Sequence, residues 1–415
     1  MKNITDNFKE GVLERFLRYA RIHTTSALHV EKIPSTDNQW VLLNLLVQEL
    51  KELGVSDVSL NESGYLIARL PSNRPDAGLP TIGLMAHVDT SSDMTGDGVN
   101  PQLHENYDGK VIELGGGYAL DPEEFPDLLD HVGDTVITTD GTTLLGADDK
   151  AGIAEIMTAL EWLIANPDVP RGDLEIMFTP DEETGKGMDL FPRDEIKAEF
   201  AYTIDGGREG EIEGECFNAY QVDVKFTGRV IHLGAARGKL VNAVTMASTY
   251  INMLPQAESP EATDERYGYY CPFELNAGLD EAELLLYLRD FDLPEMMRRI
   301  ETCKTLGKAV EAIYPGSKVE VKEKKMYLNM REHMNALPQG MEFLEEASRL
   351  AGVEPVQKII RGGTDGSRLS EMGIPTPNVF TGGFNYHSRF EWASLSTMNK
   401  SVKTIIYLCQ LWGSK

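Results

Sequence analysis

Apolar positions alternate between two patterns along the first third of the chain. Over 8–22 and 40–53 they return every three or four residues, the repeat that gathers them on one face of a helix. Over 65–70 and 81–88 they form short runs bounded by turn residues, as a strand buried on both faces does. The same reading predicts a helix over 150–165 and strands over 173–179 and 201–204. Helices alternating with buried strands specify an α/β fold, a mixed sheet covered by helices. The stretch 100–132 is rich in glycine, proline and aspartate and predicts a long loop.

The rhythm changes after Asp205-Gly206-Gly207. Strands are expected over 218–227 and 283–291, helices over 239–254 and 293–313, and an exposed strand over 318–325 whose charges alternate as on a solvated face. A helix over 336–351, a strand over 375–380 and a last helix over 394–412 return to the first pattern. The predicted organisation is one domain split into 1–213 and 327–415 by an inserted α+β domain over 214–326.

Composition narrows the function classes. With 415 residues, 41% hydrophobic and 25% charged, the chain can bury a sizeable core in two domains. A formal charge of −27 argues against nucleic acid or an anionic membrane as partner. No apolar run is long enough to span a bilayer, and Asp6, Lys9, Glu10, Glu14 and Arg15 interrupt the N-terminal pattern where a secretory signal would need an apolar core. Cys216, Cys271, Cys303 and Cys409 lie far apart with no CxxC spacing, so neither a zinc knuckle nor a redox pair is suggested. A cytoplasmic protein with reduced thiols is the expectation.

Five polar clusters carry candidate chemistry. His87 and Asp89 stand two residues apart at the carboxyl end of a buried strand, so both can point into one crevice, with Asp89 orienting the imidazole. The plain alternative is a strand-end histidine beside a solvated aspartate. Asp148 and Asp149 begin a helix; they can cap it, or one can bridge two cations while its neighbour and Lys150 hold the loop. Asp181, Glu182 and Glu183 follow another strand; three adjacent carboxylates repel unless they are solvated or meet positive charge. Asp205 ends a fourth strand, and His387 follows the pair Gly382-Gly383. Each cluster alone is commonplace. As a set, two histidines with three carboxylates at strand ends suit a pair of Zn²⁺, Mn²⁺ or Co²⁺ ions.

These segments, with Thr139-Asp140-Gly141, Arg361 to Gly366 and Thr381 to His387, resemble the two-metal aminoacylase/carboxypeptidase/peptidase T metallopeptidase family over essentially the whole chain. The resemblance implies His87, Asp148 and Asp205 on one metal and Asp148, Glu183 and His387 on the other, with Asp148 bridging. It implies Glu182 as general base and Asp89 as the carboxylate that orients His87. The inserted domain matches a lid that can also mediate homodimerisation. His232 is implied as a donor to the tetrahedral oxyanion and Arg289 as the binder of a peptide's C-terminal carboxylate. Arg361, ahead of a glycine pair, is a candidate further substrate contact; Asn242, at the start of a helix, can cap that helix, be buried or contact substrate. Leu233 stands where the family usually has proline, a departure that bears on the loop around His232. The implied activity is removal of the N-terminal residue from tripeptides, by a water that two cations acidify. Dipeptidase or N-acyl amino acid deacylase activity is the same chemistry on other substrates, and a silent peptide-binding protein would lack a ligand or the base. No strand is followed by GxGxxG or a P-loop, which argues against a nucleotide enzyme.

Overall fold

The computed structural model describes residues 2–414. It divides into two compact units. The first takes in the chain up to Gly214, then Met330–Lys358 and the chain from Thr364 onward; the second is Glu215–Asn329 with Ile359–Gly363. The sequence boundaries left 359–363, and Arg361 with them, in the last segment of the split domain.

The first unit is built on an eight-stranded mixed sheet. Its strand order is Asp57–Leu60, Leu66–Leu70, Leu174–Thr179, Ile82–His87, Phe200–Gly206, Asn378–Phe380, Glu211–Cys216 and Val356–Ile360. The four strands from Leu174–Thr179 to Asn378–Phe380 run parallel. Leu66–Leu70 and Glu211–Cys216 join them antiparallel on either side. Leu174–Thr179 and Ile82–His87 are buried at every position, which explains why they read as unbroken apolar runs rather than alternations.

Helix Ala147–Ala165 carries a nearly all-buried sequence against this sheet. Gly152 is required there, because a Cβ would lie 1.8 Å from the Ile204 carbonyl oxygen and 2.5 Å from Asp149 Oδ1. Helix Leu395–Gly413 starts where the Ser394 hydroxyl accepts from the Thr397 amide.

Two predicted elements differ from the structure. The stretch 100–132 is not one long loop: Gln102–His104 pairs with Val136–Thr138, and Ile112–Glu113 pairs with Ala119–Leu120 across Gly115–Gly117. Strands of two or three residues carry no periodic signal, yet Leu114, Leu120 and Leu128 pack under Trp392 and Phe384. The helix expected over 336–351 is Gln339–Leu350, starting three residues later and preceded by a separate short helix, Arg331–Ala336; Pro338 disfavours helical backbone at Leu337 between them.

The second unit is a four-stranded antiparallel sheet in the order Tyr269–Ala277, Glu281–Asp290, Asn218–Thr227 and Lys318–Tyr327. One face is apolar: Val222, Val224 and Phe226 join Leu284, Leu286 and Leu288. Met246 and Tyr250 of helix Ala243–Met253 and Ile300 and Cys303 of helix Leu293–Ile313 close over it. Among the described residues no helix is long and apolar enough to cross a membrane.

Candidate active site

The parallel strands deliver the polar clusters to one edge. Register pairs Met85 with Thr203, so His87 and Asp205, two residues further along each strand, come side by side. His87 also pairs with Thr179, and the chain turns from there through Asp181 to Glu182 and Glu183. This is the carboxyl edge of the strands, where open α/β sheets place their ligand sites. Asp181, Asn385 and His387 adopt left-handed backbone at φ 58°, 54° and 60°. Such non-glycine conformations cluster where surrounding structure holds a functional loop.

Asp148 lies at the centre. Its Oδ1 is 2.8 Å from His87 Nε2 and its Oδ2 is 3.2 Å from His387 Nε2. His87 Nε2 is also 3.5 Å from Asp205 Oδ1, and His387 Nε2 is 2.9 Å from Glu183 Oε2. The His87 ring is fixed from behind: Nδ1 donates to the Asp89 carbonyl at 3.1 Å and lies 3.4 Å from Asp89 Oδ1. That contact places a proton on Nδ1 and aims Nε2 at the carboxylates. Asp89 is fully buried, and its two oxygens also accept from the Glu182 and Glu183 amides at 3.0 and 3.2 Å. Asp89 thus holds the imidazole, chiefly through its carbonyl, and through its carboxylate the turn that carries Glu182.

The electrostatics are those of an anionic pocket. Burial pushes the Glu183 carboxyl up to about 8 and Asp205 up to about 6, against the pull of His387 and His87 respectively. Glu182 is raised well above the carboxylate range, first by burial and further by Asp205, Asp365 and Glu183. Hydrogen bonds to Asp148 and Glu183 hold the His387 imidazole up to about 11. Glu183 Oε1 is buried with no hydrogen-bond partner. A divalent cation would satisfy that oxygen and offset the crowded carboxylates. Ligand atoms of His87, Asp148 and Glu183, and of His87, Asp149 and Asp205, lie within 4.8 Å of one another. The donor set therefore fits divalent metal. Asp149 is already committed, accepting from the His87 and Gly152 amides at 3.3 and 3.2 Å, whereas Asp148 turns both oxygens toward imidazoles.

Comparison with known proteins agrees with this geometry. Residues 138–410 match the model of peptidase family M20/M25/M40. The chain belongs to that family. It is 45% identical over 404 residues to peptidase T of Clostridium perfringens, covering 97% of this chain and 99% of that one. It is 46% identical over 406 residues to peptidase T of Caldanaerobacter subterraneus, with the same coverages. Among solved structures, the aminopeptidase PepT of Bacillus cereus superposes with a TM-score of 0.77 over 99% of this chain and 100% of that one, at 22% identity. A dinuclear metal binding peptidase of Bacillus subtilis gives 0.67 over 97% and 98%, at 14% identity. At these identities the two structures speak for the fold.

In this M20/M25/M40 chain the other four sequence candidates fall in the second unit and differ in their commitments. His232 is exposed, and its Nδ1 accepts from the Gly234 amide at 3.2 Å. Its proton is thereby placed on Nε2, which is free to donate. Leu233 opens the short 3-10 turn that makes this contact. Arg289 stacks on the Tyr287 and Tyr327 rings, 5.2 and 5.7 Å to their centroids, and donates to the Leu288 carbonyl. Asp290, a neighbour that could have neutralised it, pairs with Arg299 instead. Among the described residues Arg289 makes no ion pair. Asn242 caps helix Ala243–Met253, accepting from the Val244 amide at 2.9 Å. Arg361 gives both terminal nitrogens to the 263–267 turn, reaching the carbonyls of Thr263, Glu265 and Tyr267. Those bonds tie Asn242 and Arg361 to the backbone around them.

The supporting contacts of two groups escaped the sequence reading. Asp181 accepts from the Ser35 amide at 2.6 Å and Gln39 Nε2 at 2.7 Å, anchoring the turn before Glu182. Buried Asp365 accepts from the Thr179 hydroxyl at 2.6 Å, and burial pushes its carboxyl up to about 7. No local spacing signals either contact. Each joins residues more than a hundred positions apart.

Proposed function

We propose that this chain is an aminopeptidase that releases the N-terminal residue of tripeptides using two divalent cations. His87, Asp148 and Asp205 would hold one, and Asp148, Glu183 and His387 the other. Zinc is the first choice, with manganese and cobalt as alternatives that the same donors accept. The observation that carries the reading is Asp148, which turns one oxygen to each of two imidazoles, with a buried, unpartnered Glu183 oxygen alongside. Near full-length identity to peptidase T supports the substrate class.

When bound, such a cation pair polarises the scissile carbonyl and makes water a nucleophile near neutral pH. The chain's own groups do the rest. Asp89 holds the Glu182 backbone, and the Glu182 side chain makes no hydrogen bond of its own among the described residues. Its carboxylate is free to take a proton from the attacking water and pass it to the leaving amine. His232 offers an Nε2 donor to the oxyanion. The unpaired Arg289 fork suits the peptide's terminal carboxylate. The reading keeps a cytoplasmic setting, which the four free cysteines suit. It also keeps a homodimer through the inserted unit, whose Tyr269–Ala277 edge strand exposes Phe273 and Leu275.

A panel of di-, tri- and tetrapeptides and N-acyl amino acids, offered to metal-reconstituted protein, tests the assignment. Tripeptides should turn over fastest, releasing the first residue. Turnover of dipeptides or acylated amino acids, without release from any tripeptide, would reject it.

A further inference from the structure

Glu391 follows His387 by four residues, on the same loop, and is buried at 1% exposure. Its Oε2 accepts from the Leu145 and Gly146 amides at 2.7 and 2.9 Å. Its Oε1 accepts from the Ala147 and Asp148 amides at 2.7 and 3.2 Å. Four consecutive amides converge on one side chain. An ordinary helix cap satisfies one or two. The backbone bends to allow this: Gly146 is left-handed at φ 77°, and Asp148 and Asp149 leave helical geometry inside the first turn of Ala147–Ala165. That bend aims the Asp148 oxygens at His87 and His387.

We propose that Glu391 is a positioning residue that sets the affinity of the site for divalent cations. It ties the backbone of Asp148 to the loop that carries His387. Asp148 and His387 lie 239 positions apart in sequence, so their separation depends on such a tie. The Asp89 bonds fix the His87 side of the site; Glu391 fixes the side shared by Asp148 and His387. The inference rests on the proposed two-cation reading.

Glu391→Gln keeps the shape but replaces one acceptor oxygen with an NH₂ group, which must face two amide donors. The loop then loses two of its four bonds, and outer-shell losses of this kind weaken metal binding by roughly 10- to 100-fold. The test is competition for Zn²⁺ between metal-free full-length protein and a chromophoric chelator, with the melting temperature of each metal-free protein recorded alongside. Expected is a Zn²⁺ Kd raised roughly 10- to 100-fold in Glu391→Gln. A Kd within about threefold of wild type in folded variant overturns the proposal. So does a lowered melting temperature with an unchanged Kd, the mark of a purely structural residue. If Glu391→Gln does not fold, Glu391→Asp keeps the charge but shortens the reach. It should bind Zn²⁺ roughly 10-fold more weakly, and wild-type affinity there overturns the proposal equally. Wild-type protein that takes up no Zn²⁺ removes the two-cation reading itself, whereas tight wild-type binding matched by the variant removes only the role of Glu391.

Discussion

Glu182→Gln separates chemistry from structure more cleanly than any other change in the site. The Glu182 carboxyl makes no hydrogen bond or ion pair among the described residues, so the amide breaks no contact. The backbone amide keeps its 3.0 Å bond to Asp89. The amide has the carboxyl's shape and breaks no contact, so the melting temperature should stay close to that of wild type. The grouped ligand atoms do not include Glu182, so bound metal should match wild type. Turnover is another matter. A general base contributes about 10²- to 10⁴-fold, which is about 2.7–5.4 kcal/mol on the barrier at 1.36 kcal/mol per decade. The assay is kcat on a tripeptide by chromatography of the released residue, with melting temperature and elemental analysis on the same samples. Expected is a loss of at least about 100-fold in kcat with the other two readings unchanged. Retention of more than roughly a tenth of wild-type kcat would refute the base assignment. Loss of metal together with activity would make Glu182 a ligand instead.

Arg289→Ala should raise KM for tripeptides by roughly 10- to 100-fold, the worth of a hydrogen-bonded charge contact, and leave C-terminally amidated tripeptides unmoved; equal effects on both would remove the carboxylate contact. Lys150 makes a pH prediction. Burial pushes its ammonium from 10.5 down to about 7, with Glu391 and Asp89 pulling the other way, while Nζ donates to the Ile22 carbonyl at 2.7 Å. Between those two values the unfolded chain holds a proton that the folded chain lacks. Its contribution to stability therefore grows as pH rises through that window and is lost as pH falls toward 7. Thermal scans from about pH 7 to 10 should show this rise in wild type and a flatter profile in Lys150→Met; an identical slope in both would contradict the assignment.

The parallel core was legible because its strands are buried on both faces. Continuous apolar runs over 81–88 and 173–179 mark them, and His87 stands out as the polar residue that ends one run. Asp205 was legible for the same reason. The edge strand Tyr269–Ala277 was not: six of its nine residues are exposed, so burial imposes no pattern on them. Residue type leaves the role open where a polar side chain can also serve nearby backbone. Asn242 and Arg361 have the chemistry of substrate contacts, and they also bond a helix N-terminus and a cluster of turn carbonyls. The contacts of Asp181, Asp365 and Glu391 were invisible because each joins partners far apart in sequence, in two cases through backbone amides that carry no residue identity.

The central claim is that these carboxylates and imidazoles hold two divalent cations for peptide hydrolysis. Tripeptide turnover, measured on metal-free protein while Zn²⁺ is added and bound metal per chain is counted, tests it most directly. The account predicts no turnover without metal and a plateau at two ions per chain. Full turnover in the metal-free protein, or none with two ions bound, would contradict it.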